Sequence, residues 1–481
     1  MTAPLLRNYI NGQWVDSATG QLGEQRDPAD LGVVTCRFPR SSREEARRAI
    51  AAAADAWAGW RALPVAQRAD YLTRALAAIT RRQDEIAEII TRENGKTLAE
   101  AKTEVVAAIK EMEWQIAEGR RLYGETVPSD RPGVFAYCLR QPLGVVSVIA
   151  PWNFPFNVPG RKVTPALMTG NTVVFKPAGL TPRTGVCFVE AFVEAGLPAG
   201  VLNLVLGDGG VVGDELVVNP QVRAISFTGS TPVGRAIHQK AAATLARTQL
   251  EMGGKNPAVV LADADLDLAA EAVVRAAYAC AGQWCTSTSR AIVETAVMPA
   301  FQAKVLERVA RLRVGSGLDP STTMGPVCGA AQLRDVMRYI ELGQREGATL
   351  LAGGRQLAGA GCFIEPTVFG GVTPAMTIAR EEIFGPVLSL MPVSGFEEAV
   401  RIANDVEFGL SSSVFTRSLD KALSFVERTE VGLTHVNLPT AHKEPQLSFG
   451  GIKQSGTGLP EAGKTGIEFF TQHKVVYVQY R

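Results

Sequence analysis

The chain reads as an α/β protein built from two doubly wound α/β domains and a β-strand arm suited to oligomerisation. Three observations predict this. From residue 145 short apolar segments alternate with helical ones: VVSVIAP, NTVVFKPA, VLNLVLG and VRAISFTGS read as strands. RKVTPALMTG, TGVCFVEAFVEAG and TPVGRAIHQKAAATLA read as helices, and DELVV as a short one. Such alternation gives a parallel sheet covered on both faces. A second run of the same kind starts at PAVVLADADLD, with a helix from Leu266 to about Ala281, and continues through SRAIVETAV, PVLSLMPV and LSSSVFTR. Finally, 124–144 and 466–481 carry Val, Phe and Tyr in strand-like stretches outside either core. Exposed strands of that composition take a partner, so subunit pairing is expected.

The N-terminal part is organised differently. NYINGQWV is a hairpin with Asn11-Gly12 at its turn. Ser42 and Glu45 form a capping box that opens a helix toward Trp60. One helix is predicted over 65–93, ending near Asn94-Gly95, and another from Thr97 to about Tyr123 with Val105, Ile109, Met112 and Ile116 on one face.

Bulk properties exclude several classes. At 481 residues the chain exceeds one core. A net charge of +1 offers no bulk attraction for nucleic acid or an anionic membrane. No apolar run approaches the roughly 18 residues of a spanning helix. The start lacks a secretory h-region. Seven cysteines, at 36, 138, 187, 280, 285, 328 and 362, form no CxxC pair, and the four histidines give no metal spacing with them, so no metal site is expected. Free thiols in a reducing cytoplasm are the simplest reading.

Three groups carry chemistry. Cys285, in GQWC, offers a thiolate for attack on a carbonyl. The tetrahedral oxyanion that results needs donors placed in advance. The amide of Asn153, in PWNFP, and the backbone N–H of Cys285 can supply them. Glu251, in LEMGG, can take a proton from water and hydrolyse the thioester left once hydride has gone. Singly, each residue has a plainer explanation: a small buried hydrophobe, a turn residue, a surface carboxylate. In AISFTGSTPVG a strand runs into Gly229, Ser230 and Gly234 and then a helix, whose N-terminus suits a phosphate. That spacing alone also fits an ordinary tight turn. Lys176 closes a strand and would point into the ligand crevice.

Taken together, PWNFP (151–155), FTGSTPVG (227–234), LEMGGKNP (250–257), GQWC (282–285), EEIFGP (381–386) and FGGIKQSGTG (449–458) resemble the NAD(P)-dependent aldehyde dehydrogenase superfamily over essentially the whole chain. The resemblance implies that family's fold, with a dinucleotide-binding domain at 1–123 and 145–254, a catalytic domain at 255–454 and an oligomerisation arm at 124–144 and 455–481. It implies Cys285 as nucleophile, Glu251 as base and Asn153 as oxyanion donor. For NADP or NAD it implies Trp152, Lys176, Gly179, Phe227, Gly229, Ser230, Val233, Gly234, Glu382 and Phe384. Lys162 also falls on a motif position, whereas Cys280 reads as helix packing. A homodimer or homotetramer and a small aldehyde substrate follow from the same likeness.

One departure concerns the cofactor. The family often has Glu three residues after the lysine of its KP[AS]E motif, but here Gly179 stands there. Without that carboxylate nothing repels a 2′-phosphate, and Arg183 nearby could attract one, so NADP should be accepted or even preferred; the competing reading is that Gly179 is neutral and NAD is used as usual. For the substrate, family members acting on carboxylated semialdehydes place an arginine where Arg161 stands, with Asn157 one helical turn earlier. An ion-pair role for Arg161 is the competing reading. Phe156, Trp284, Ser448 and Phe449 would shape the pocket wall. The C-terminal segment also resembles α-ketoglutarate semialdehyde (2,5-dioxopentanoate) dehydrogenases, and succinate semialdehyde or a broad aliphatic or aromatic aldehyde is the alternative. A CoA-acylating enzyme is disfavoured by Glu251, and a non-catalytic member by the presence of all three reactive groups.

Overall fold

The computed structural model describes residues 3–481. Two large sheets organise it. The first orders its strands 13–15, 8–10, 202–204, 172–176, 145–149, 222–228, 247–251 and 456–457. The five from 202–204 to 247–251 run parallel, and antiparallel strands close both edges. The central strands Val145–Ile149 and Thr172–Lys176 are buried on both faces, which is why they read as unbroken apolar runs. The second sheet orders 349–352, 367–370, 387–393, 288–294, 256–260, 411–415 and 433–436, parallel except at 349–352. Each sheet has its own apolar core. The strand Thr471–Gln479 pairs antiparallel with Val134–Pro142, which also pairs with Glu125–Val127. Of the remaining C-terminal segment, Gly456–Thr457 joins the first sheet and Gly463–Glu468 is helical. Among the described residues no helix is long and apolar enough to cross a membrane.

Local signals placed most elements. Both Ser42 with Glu45 and Thr97 with Glu100 make complete capping boxes, opening the helices Arg43–Ala62 and Leu98–Gly119. The latter ends four residues short of the predicted Tyr123. The single helix predicted over 65–93 is two, Val65–Arg81 and Gln83–Asn94, broken at Arg82, whose guanidinium is drawn to Glu85 and Glu190. No glycine or proline marks that break in the sequence. The helix expected from residue 161 starts at Asn157, because a carboxylate from another helix caps it. The helix expected to reach Ala281 stops at Tyr278, so Cys280 is buried in a turn rather than packed within the helix. The strand Arg247–Glu251 and the ribbon Leu22–Asp27 with Asp30–Pro39 were not predicted, since RTQLE and LGEQRD are too polar to read as core strands.

One helix takes its cap from a distant carboxylate. The helix Pro182–Glu194 has no side-chain hydrogen bond from its own N-cap, Thr181. The fully buried Glu93 replaces it, accepting the N–H of Arg183 and of Thr184, each at 2.8 Å. A buried donor left unpaired costs about 1–3 kcal/mol. Glu93→Ala should therefore lower unfolding free energy by about 3 kcal/mol, read from urea denaturation, while Glu93→Gln, which keeps one acceptor, should lose less.

Candidate active site

Four strands of the first sheet end side by side. Ile149 pairs with Lys176 and Thr228 with Glu251, each the last residue of its strand. A parallel sheet offers its ligand groups along this edge. The segment 150–156 leaves the first of these strands and carries Trp152 and Asn153.

A buried ion pair sets that segment. Lys96 Nζ lies 2.7 Å from Glu104 Oε2, both side chains fully buried, and donates to the Asn153 carbonyl at 2.7 Å. Glu104 Oε1 accepts the N–H of Phe156 at 2.9 Å and of Asn157 at 3.1 Å, capping the helix Asn157–Met168. The same ammonium sits 4.1 Å from the centre of the Phe154 ring, which packs on Trp284 at 5.0 Å.

Cys285 arrives from the second half through a tight reversal. Cys280, Ala281 and Gly282 follow one another at φ 53°, 54° and 70°. A left-handed non-glycine residue costs about 1–2 kcal/mol. Surrounding contacts hold the turn: Cys280 N–H donates to Glu100 Oε1 at 2.7 Å, and the Gln283 side chain closes on the Cys280 carbonyl and the Cys328 N–H. A Cβ on Gly282 would overlap the Gly385 carbonyl, so only glycine fits there. Beyond the turn, Asn256 Nδ2 donates to the Cys285 carbonyl at 2.8 Å and Thr440 Oγ1 to the Thr286 carbonyl at 2.6 Å. Asn153 Nδ2 reaches across to the Gln283 carbonyl at 3.2 Å, joining the segment 150–156 to the segment that carries Cys285.

Glu251 is buried at the end of its strand, and its Oε2 accepts the Gly451 N–H at 3.1 Å. A Cβ on Gly450 would stand 2.7 Å from its other oxygen. Behind it Lys162 pairs with Glu461 and donates to Ser226 Oγ at 3.0 Å, and Glu461 also accepts from Thr228 Oγ1 at 2.9 Å. Burial, then the nearby Glu461 charge, holds the Glu251 carboxyl well above the usual range, against the pull of Lys162, the Gly451 N–H and Arg161. Burial pushes the Cys285 thiol up to about 12, with Arg161 and Lys443 opposing and Glu382 and Glu251 adding to it. Burial therefore disfavours the ionised form of both groups.

The edge also fits a dinucleotide. Ser230 precedes the helix Thr231–Ala241 without capping it, which leaves the first-turn N–H groups for an anion. Phe227 is buried with its ring under Gly229 and Gly234, where any added Cβ would crowd that ring. It serves as the floor of the turn, while Val233 is exposed in the first turn of the helix. Lys176 is buried, with its Nζ on the Pro177 carbonyl at 3.2 Å; burial pushes its pKa down to about 8. Gly179 is exposed, with Phe38 as its neighbour. From the second half, Glu382 Oε1 accepts the Gly254 N–H at 3.0 Å, and burial pushes this carboxyl up to about 7. A Cβ on Gly253 would overlap that carboxylate. The Phe384 ring meets Trp152 edge-on at 5.4 Å. Arg183, expected to add charge near the ribose, is instead paired with Glu190 at 2.6 Å.

A cluster of charged side chains also bears on the thiol. Arg161 is buried, 3.2 Å from Glu111 and 3.5 Å from Glu461, with its guanidinium over the Phe449 ring. Asn157 donates to Glu111 at 2.7 Å and accepts from Arg161 at 2.9 Å. The internal ion-pair partner and the candidate anion holder are thus one residue. Phe156 does not line this space; it is fully buried against Phe188. Ser448 is exposed and accepts from Thr465 Oγ1 at 2.7 Å. Glu104, Lys96, Glu111, Glu461 and Lys443 escaped sequence reading, because a charged residue bound for burial carries no local mark of it.

Residues 14–476 match the model of the Aldehyde dehydrogenase family. The chain is 45% identical over 476 residues to an alpha-ketoglutaric semialdehyde dehydrogenase of Bacillus subtilis, with 98% of each chain covered. It is 40% identical over 485 residues to the alpha-ketoglutarate semialdehyde dehydrogenase of Haloferax volcanii, with 100% of each covered. The solved lactaldehyde dehydrogenase from Escherichia coli superposes with a TM-score of 0.97 at 37% identity, covering 99% of this chain and 100% of that one.

The role of the buried pair can be measured. Glu104→Ala strands the Lys96 ammonium, which costs about 3–5 kcal/mol. The expected outcome is an unfolding free energy lower by that amount, together with a fall in kcat as Asn153 loses its anchor.

Proposed function

The chain belongs to the aldehyde dehydrogenase family, and from that premise we propose that it oxidises an ω-carboxylated semialdehyde, with α-ketoglutarate semialdehyde going to 2-oxoglutarate. What supports the chemistry is that Asn153 bonds the backbone two residues before Cys285 and that the Glu251 charge bears on the Cys285 thiol. The substrate rests on the likeness, over nearly the full length, to enzymes named for that semialdehyde.

The Cys285 sulfur, once deprotonated, adds to the aldehyde carbon. The oxyanion then accepts from the Cys285 N–H and from the Asn153 amide, which has a second N–H beside the one spent on Gln283. One such donor is worth about 100- to 1,000-fold in rate. Bound NAD or NADP supplies the hydride acceptor that turns the thiohemiacetal into a thioester. Lys176, Gly179, Gly229, Ser230, Val233, Gly234 and Trp152 would hold the dinucleotide along the sheet edge, with Phe227 beneath its turn and Glu382 and Phe384 at the nicotinamide end. Glu251 then takes a proton from the water that attacks the thioester. Trp284 gives the pocket an apolar flank, and Arg161 with Asn157 sets its polar end, while Ser448 borders the mouth. The exposed Val475 and Tyr477 on the outer strand fit pairing with a second copy, and seven free thiols fit a cytoplasmic setting.

Three outcomes are expected. Wild-type enzyme should turn over five-carbon carboxylated semialdehydes with a kcat/KM at least ~10-fold above pentanal, followed at the reduced-nicotinamide absorbance; a tenfold ratio is about 1.4 kcal/mol. Equal rates would sink the substrate reading. Glu251→Gln should give a burst of one reduced cofactor per active site and then a slow steady state. Because the Glu251 pKa is raised, wild-type hydrolysis should quicken as pH rises and Glu251 sheds its proton, and the variant should lose that slope. Finally, Gly179→Glu should cut kcat/KM for NADP relative to NAD by ~10-fold or more, by setting a carboxylate against the 2′-phosphate.

A further inference from the structure

Lys443 is a cation that neither the motifs nor the chemistry above uses. It lies on the segment 437–449, which is anchored at two points near Cys285. At one end of this segment Thr440 Oγ1 donates to the carbonyl of Thr286, the residue after Cys285, and lies 2.8 Å from Thr288 Oγ1. At the other end Phe449 packs in one apolar cluster with Leu410, Ala462 and Cys285 itself. Lys443 stands between these two anchors. Its Nζ donates to Asn157 Oδ1 at 2.9 Å and lies 3.4 Å from Glu111 Oε1.

The neighbouring cation differs in its freedom. The Arg161 side chain is 4% exposed, and its fork is committed to Glu111, Asn157 and Glu461. Lys443 keeps 23% of its side chain open. An ammonium carries three donors, and two are directed to Asn157 and Glu111. Of the three cations in this region, Arg161, Lys162 and Lys443, the last is the most accessible. Arg161 and Asn157 act as the framework behind it.

We propose that Lys443 is the specificity residue that receives the distal carboxylate of the substrate, through its free N–H and with Asn157 steadying the ammonium. This rests on the reading of the substrate as a carboxylated semialdehyde. It moves the direct contact from Arg161, which the motif favoured, to a lysine on the covering segment.

The test compares kcat/KM for α-ketoglutarate semialdehyde and for pentanal in wild type, Lys443→Met, Lys443→Gln and Lys443→Arg. The ratio of the two constants should fall about 30-fold in the Met and Gln variants, equivalent to about 2 kcal/mol, mainly through KM for the charged substrate. The Arg variant should recover most of the ratio. A wild-type ratio near one would overturn the substrate reading itself. A high wild-type ratio that the Met and Gln variants keep would overturn only the role of Lys443. So would an equal loss on both aldehydes, because that reports a role, structural or in favouring the thiolate, that does not involve the substrate carboxylate.

Discussion

The site depends on one ion pair withdrawn from water. Lys96 and Glu104 are each surrounded by protein, and neither has another counter-charge within bonding distance. A buried pair of this kind contributes little net stability but is costly to break, because the remaining charge has no solvent to turn to. Its remaining hydrogen bonds go to the backbone that matters: the Asn153 carbonyl and the N–H groups of Phe156 and Asn157. The loop that carries the amide and the start of the helix that carries Arg161 and Lys162 are thereby fixed together. A loop of Pro, Trp, Asn and Phe held only by its own turns would have many conformations of similar energy.

A second constraint acts from the other half. Cysteine and alanine at positive φ are held in place by Glu100, Gln283 and the close approach of Gly282 to Gly385. This is local strain maintained by tertiary contacts, as is common where a chain must aim a reactive group. It lets Cys285, which follows a strand-forming segment of the second sheet only by a long path, reach the carboxyl edge of the first. Glu382 makes the same crossing to the Gly253–Gly254 backbone. The reactive groups therefore belong to the contact between two sheets rather than to either one.

The electrostatics follow from that enclosure. Glu251, Glu461 and Lys162 are buried together, so the Glu251 carboxyl is pushed above its usual range while Glu461 pairs with the ammonium. The thiol is held protonated by the same burial. Chemistry must therefore begin with proton transfer inside the site, and the positive end formed by Arg161 and Lys443 favours the thiolate once it forms. A surface cysteine would ionise more readily.

Much of this was legible in the residue order. Alternating apolar strands and helices gave both parallel sheets, and Ser42-Glu45 and Thr97 marked two helix starts, because these signals are local. The motifs around Asn153, Glu251 and Cys285 pointed to the candidate reacting groups. What the residue order left open required distant partners. Glu104 reaches residues 52 and 53 positions on, and Glu461 meets Lys162 across 299. The break at Arg82, the left-handed Cys280 and Ala281, the polar strand ending in Glu251, and the commitment of Arg161 and Arg183 to carboxylates all arise from such pairings. Their cause is the cost of burying an unpartnered charge, which chain neighbours do not reveal and only the folded arrangement resolves.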